Sequence, residues 1–151
     1  MKHFLVSLAL LTALNTTWAS LGDNGDRIES LYGDIVQRQL RDDETVAVVY
    51  HKDRDRYLYL VVFASNRSIL ERYSHANGTG LSEKEIARFL KANAGGATWA
   101  PDNKPTERKF ERSDHGAEAT YGDVNGRMTL TVRERTKRAT PNAQRPRSND
   151  Q

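Results

Sequence analysis

The spacing of hydrophobic residues predicts one helix with well-defined ends near the middle of the chain. Its apolar stripe has helical spacing and consists of Ile86, Phe89 and Leu90. Ser82 and Glu85 have the spacing of a capping box, in which each side chain accepts a hydrogen bond from a free backbone N–H. Two glycines at 95–96 can adopt the left-handed conformation that ends a helix. The pattern therefore predicts a helix over residues 82–93.

Three β-rich runs precede this helix and are separated by polar turns. They are Thr45–Tyr50, Tyr57–Ala64 and Ser68–Ser74, and they predict a three-stranded antiparallel meander. The middle run is apolar on both of its alternating faces, which is typical of a central strand that is covered on both sides. Residues 34–44 fit either a strand or an extension of a short helix that begins near Asp26 and ends at Gly33.

Three shorter runs follow the helix, and they too have the character of strands. They lie at about Arg108–Arg112, Ala117–Tyr121 and Arg127–Arg133, after a proline-bounded loop that follows Trp99. The predicted fold class is α+β: a mainly antiparallel sheet of five to six strands with the helix 82–93 packed on one face, plus a short N-terminal helix. The order of elements also suggests a doubled α-β-β-β unit.

The N-terminus has the three parts of a secretory signal peptide. Lys2 is followed by an apolar run at 4–14, which is shorter than the ~20 residues that span a bilayer. Thr17 and Ala19 place small side chains at positions −3 and −1 of a cleavage site. We expect residues 1–19 to be removed and the remainder to be exported to the periplasm or the exterior. The alternatives are an uncleaved anchor and a buried N-terminal helix; no other segment resembles a membrane span.

The chain is basic, with a net charge of +3 and a pI near 9.3, but its charge is unevenly distributed. From residue 133 onward there are two acidic residues and six basic ones, namely Arg133, Arg135, Lys137, Arg138, Arg145 and Arg147. After the signal, the preceding part has 16 basic and 18 acidic residues, which argues against a nucleic-acid-binding face. We therefore expect a single near-neutral domain over 20–135 and a disordered basic tail over 136–151. The six basic residues are the predicted site for anionic surfaces.

The side chains that could act as catalytic groups or metal ligands form no recognised catalytic or metal-binding motif. The chain has no cysteine, which excludes disulfides, iron–sulfur clusters and cysteine-ligated zinc, and no cofactor is predicted. The spacing of the histidines matches no known metal motif. The leading hypothesis is a non-enzymatic binding or interaction module whose partner is an anionic envelope component or a protein. The alternative is a small envelope hydrolase that uses His51, His75 or His115.

Several features together resemble a group of small exported bacterial proteins. They are the pair Tyr32-Gly33, the hydrophobic strand YLYLVVF, and the segment Leu81–Trp99, in which an LSExEI helix is followed by Asn-x-Gly-Gly and a tryptophan. The resemblance implies a location in the bacterial envelope or outside the cell. It implies no activity, cofactor or residue role, because the group has no established activity.

Overall fold

The computed structural model describes residues 20–52, 56–102 and 108–136. The predicted signal peptide at 1–19 and the predicted tail from 137 onward lie outside these ranges. In chain order the elements are α1 (Gly25–Tyr32), β1 (Asp34–Leu40), β2 (Val46–His51), β3 (Tyr57–Ala64), β4 (Arg67–His75), α2 (Glu83–Ala92), β5 (Trp99–Asp102), β6 (Arg108–Arg112), β7 (Ala117–Val124) and β8 (Arg127–Glu134).

The strands form one eight-stranded antiparallel sheet in the order β1-β2-β3-β4-β8-β7-β6-β5. Each half of the chain contributes a helix followed by a four-stranded meander. The two meanders join through β4 and β8, where Glu71 lies opposite Val132 and Tyr73 opposite Leu130. The sheet therefore has two edges, β1 and β5, and its centre lies between the last strands of the two halves.

The prediction of five to six strands is wrong, because the sheet has eight strands and dominates the fold. The additional strands are β1 and β5, which form the two edges of the sheet. All seven residues of β1 are exposed, so it lacks the alternation that identifies a half-buried strand. Pro101 lies in β5, and a proline is tolerated in a strand only at an edge or a bulge. The repeated unit is accordingly α-β-β-β-β rather than α-β-β-β.

Both helices pack on the same face of the sheet. Tyr32 of α1 stacks on Tyr59, with ring centroids 4.1 Å apart, and Phe89 of α2 stacks on Tyr73 at 4.2 Å. Tyr59 and Tyr73 are opposite each other in the β3–β4 register, so their side chains share a face. On the other face of β3, where the described residues place no helix, Leu60 is half-buried and Val62 is buried.

The local chemistry at the helix ends explains where the helices start and stop. The helix predicted over 82–93 is present as α2, and both hydrogen bonds of its capping box are formed. The N-cap of α1 is Asn24 rather than Asp26, since the Asn24 side chain accepts a hydrogen bond from the Arg27 N–H at 3.0 Å. Gly33 turns the chain from α1 into β1 with a φ of 90°. A Cβ there would lie 2.8 Å from Lys52 Cα, so only glycine fits this turn.

A fully buried carboxyl group connects the N-terminal helix to the sheet. Glu71 Oε2 accepts hydrogen bonds from the hydroxyls of Tyr32, at 2.8 Å, and Tyr73, while its Oε1 accepts one from Ser68 at 3.2 Å. Asn93, the C-cap of α2, donates to the Tyr73 hydroxyl at 2.7 Å. Burial raises the pKa of Glu71, although the hydrogen bonds from the hydroxyls oppose that change. The network joins both helices to β4.

Candidate functional site

A concavity of about 800 Å³ lies beside α2, at the end of the sheet where β3 begins and β4 ends. The charged and titratable side chains that line it are Arg56, His75, Lys84, Glu85, Arg88 and Lys91. We call this region, defined by those six residues, the basic concavity. Four of its six members are lysines or arginines, although the folded part of the chain is close to neutral.

Helical geometry brings three of the basic side chains into line. Lys84, Arg88 and Lys91 are spaced i, i+4 and i+7, which places them on one face of α2. Lys84 and Lys91 are exposed and form no ion pair with the described residues. Their ammonium groups are therefore available to a ligand outside the protein.

The two arginines of the basic concavity are held against a tyrosine ring. The guanidinium groups of Arg56 and Arg88 lie 5.5 and 5.3 Å from the ring centroid of Tyr57. Arg88 Nη2 also donates a hydrogen bond to the Tyr57 hydroxyl at 2.6 Å. Contacts of this kind fix the position of a cation. Arg56 Nη1 also lies 3.6 Å from Glu85 Oε1, so its charge is partly balanced within the basic concavity.

Glu85 is the carboxylate of the basic concavity, and its oxygens are occupied by internal hydrogen bonds. Oε1 accepts from the Tyr57 hydroxyl at 2.6 Å and lies 3.1 Å from His75 Nε2. Oε2 accepts from the backbone N–H and hydroxyl of Ser82, at 2.7 and 2.8 Å. Burial alone would raise the pKa of Glu85, but the hydrogen bonds from Tyr57, Ser82 and His75 together hold it well below its usual range. The carboxylate is thus ionised and directed into the protein.

The structure does not bring the three predicted histidines together. His51 ends β2, His75 ends β4, and His115 lies in the turn between β6 and β7. His115 Nδ1 lies 2.6 Å from Glu111 on the surface. Among the described residues, no group of three or more histidines and carboxylates could hold a metal ion. Only His75 lies in the basic concavity.

The first two residues predicted for the anionic-surface site belong to the folded part of the chain. Arg133 is part of β8 and pairs with Glu118 on β7. Arg135 pairs with Glu118 at 3.1 Å and with Glu111 at 2.6 Å. Their charges are therefore balanced by the body. The other four predicted residues (Lys137, Arg138, Arg145 and Arg147) lie outside the described residues.

Sequence reasoning missed the basic concavity. The spacing of its three α2 residues is visible in the sequence, but Arg56 and His75 join them only because β3 and β4 pair next to α2. In the described ranges, no helix is both long and apolar enough to cross a membrane.

No family model, curated protein or solved structure matches the chain.

Proposed function

We propose that this chain is a non-enzymatic binding module of the cell envelope or exterior, and that it binds phosphate-bearing anionic membrane surfaces through the basic concavity. The observation that carries this proposal is the convergence of four basic side chains around one buried, hydrogen-bonded carboxylate. Glu85 pairs with Arg56 at 3.6 Å and offsets one of the four positive charges, while Lys84 and Lys91 are exposed and form no ion pair with the described residues. The predicted signal peptide and the resemblance to exported bacterial proteins support the location.

The charge of the basic concavity is large enough to matter at an anionic lipid surface. Each lysine or arginine near such a surface contributes on the order of 1 kcal/mol, and the effect falls off within a Debye length of about 10 Å at 0.1 M salt. Lys84 and Lys91 are on the exposed side of α2, where both can approach lipid headgroups together. Binding through this surface should therefore be reversible and sensitive to salt.

Reversing the two exposed lysines tests this proposal. In the double variant Lys84→Glu/Lys91→Glu, two favourable charges become two unfavourable ones, so we expect at least a roughly tenfold loss of affinity. The measurement is co-sedimentation of the chain from Ser20 with vesicles of phosphatidylglycerol and phosphatidylcholine at low salt. Vesicles of phosphatidylcholine alone should bind neither protein.

A matched control separates the site from the net charge. Arg38→Glu/Arg41→Glu changes the net charge by the same amount, at exposed positions in and just after β1. We expect this control to bind the anionic vesicles nearly as well as the wild type. Equal losses in both double variants would show that overall charge, and not the basic concavity, governs binding.

A hydrolase is the second candidate, because one hydroxyl, one imidazole and one carboxylate lie in series. Thr79 Oγ1 is 2.7 Å from His75 Nδ1, and His75 Nε2 is 3.1 Å from Glu85. With its proton on Nε2, the imidazole can accept the hydroxyl proton while the carboxylate orients the ring, which is the arrangement of a nucleophile, a base and an orienting group. The hydroxyl also lies 2.8 Å from Asn77 Oδ1, an acceptor that competes with the ring.

The hydrolase candidate predicts a slow esterase activity that depends on Thr79. Wild-type protein should hydrolyse p-nitrophenyl acetate faster than buffer does, and Thr79→Ala should abolish the difference because the nucleophile is lost. Thr79→Ser keeps the hydroxyl and should retain the activity. If the wild type and Thr79→Ala hydrolyse the ester at the same rate, this candidate is wrong and the binding proposal is unaffected.

A further inference from the structure

The two edges of the sheet differ in how well they are protected against pairing with another strand. β5 has four residues and includes Pro101, which has no N–H to donate. β1 has seven residues and all of them are exposed. Within the described ranges, the exposed large hydrophobic residues are Ile35, Val36 and Leu40, with exposed fractions of 42%, 63% and 72%, and all three lie on β1. An exposed, apolar edge strand is a template for a further strand.

A groove of about 320 Å³ runs beside this edge, between α1 and the first two strands. Its floor is apolar and is formed by Val46, Val48, Tyr50 and Phe63. Ile35 lies opposite Tyr50 and Leu40 opposite Val46 in the β1–β2 register, so both side chains extend the same face of the sheet. A strand added to β1 would place every second side chain next to this face. We call this region the edge groove.

The rim of the edge groove is acidic. Asp26 and Glu29 come from α1, Glu44 comes from the turn after β1, and the one basic side chain in the lining is Arg38. The three carboxylates are exposed and form no side-chain hydrogen bond or ion pair with the described residues. Glu29 and Tyr50 both line the groove. Burial raises the pKa of Tyr50, and the charge of Glu29 raises it further. An apolar floor with unpaired carboxylates above it is complementary to a ligand that is both apolar and cationic.

We propose that β1 and the edge groove bind an extended segment of another protein, in which apolar side chains alternate with lysine or arginine. The backbone of the segment would pair with the open edge of β1, as in other complexes formed by strand addition. Its apolar side chains would pack beside Ile35 and Leu40, and its long cationic side chains would reach the carboxylates of the rim. This inference does not depend on the membrane-binding proposal, because the edge groove and the basic concavity share no lining residue and differ in the sign of their charge.

Two synthetic peptides of seven residues, the length of β1, provide the test. One alternates valine with lysine, and the other alternates valine with glutamate. NMR titration of the chain from Ser20 should give saturable binding of the lysine peptide and at least roughly tenfold weaker binding of the glutamate peptide. Amide hydrogen exchange should slow in β1 when the lysine peptide is bound, because strand pairing protects its outward N–H groups.

Variants at exposed residues test whether the peptides bind at the edge groove. Asp26→Lys/Glu29→Lys should reduce the preference for the lysine peptide by about tenfold or more. Leu40→Lys removes an apolar contact and adds a positive charge to the edge, so it should weaken binding of the lysine peptide. The proposal is wrong if the lysine peptide leaves exchange in β1 unchanged, or if the acidic-to-basic variant binds it equally well. It is also overturned if β1 is already protected without peptide, either in a concentration-dependent dimer or in a way that is lost when residues 137–151 are removed.

Discussion

Replacing Glu71 with alanine is expected to lower the free energy of unfolding by about 3 kcal/mol or more. The buried hydroxyls of Tyr32 and Tyr73 lose their carboxylate acceptor, whereas Ser68 can still donate to the Ser20 carbonyl at 3.1 Å. Each buried polar group left without a partner costs about 1–3 kcal/mol, and the cavity adds to that sum. Urea denaturation of the chain from Ser20 measures the change. A loss below about 1 kcal/mol would show that the network does not hold α1 to the sheet.

Glu71→Gln is the matched control, because it keeps an acceptor oxygen and removes the titration. Burial raises the pKa of Glu71, so the folded protein holds this proton more tightly than the unfolded chain does. The stability from this carboxyl is therefore fully present below its unfolded pKa of about 4.3 and is lost as the pH rises through the folded value. The stability of the wild type relative to Glu71→Gln should fall as the pH is raised from 4. A constant or rising difference would contradict the assignment.

Glu85→Gln is expected to cost about 2 kcal/mol or more at pH 7, with the opposite dependence on pH. Hydrogen bonds to a charged group contribute about 1.5–3 kcal/mol, and this carboxylate accepts several from Tyr57 and Ser82. Burial would raise the pKa of Glu85, but its hydrogen bonds lower it overall. The stabilisation is therefore present above the unfolded pKa of about 4.3 and is lost as the pH falls through the folded value.

Thermal unfolding between pH 2 and pH 7 measures this effect, and Glu83→Gln is the control on the same helix. Glu83 is exposed and pairs with Arg108 on the surface, so its replacement should change the melting temperature much less. The cost of Glu85→Gln should shrink as the pH is lowered. If the two variants lose the same stability at pH 7, the hydrogen bonds accepted by the Glu85 carboxylate do not stabilise the fold as proposed.

The elements that sequence reasoning predicted well are those set by local chemistry. The capping box at Ser82 and the apolar stripe of α2 are properties of one short segment, and the helix formed where they indicated. The long run of β3 was recognisable from its own residues. The two edge strands were not, because an edge strand such as β1 is defined by the strand it pairs with and buries no face of its own.

The surroundings of the charged residues were also beyond sequence reasoning, because they depend on contacts between distant segments. Arg133 and Glu118 are 15 residues apart in sequence but lie opposite each other in the β7–β8 ladder. Sequence reasoning could not see this pairing and assigned the arginine to the site for anionic surfaces. Sequence reasoning gave no role to Glu71, yet its side chain is completely buried and accepts a hydrogen bond from the Tyr32 hydroxyl of α1. Both outcomes depend on the pairing of distant segments, for which a single sequence contains little signal.

The binding of a chain that spans residues 20–136 to phosphatidylglycerol vesicles, measured as a function of salt, tests the central claim most directly. This chain contains all the described helices and strands and lacks four of the six residues predicted to bind anionic surfaces, namely Lys137, Arg138, Arg145 and Arg147. If the basic concavity is the site, the shortened chain should bind, its affinity should fall steeply as salt is added, and the fall should be shallower in Lys84→Glu/Lys91→Glu. If residues 20–136 fail to bind vesicles that residues 20–151 do bind, the basic concavity is not the membrane-binding site.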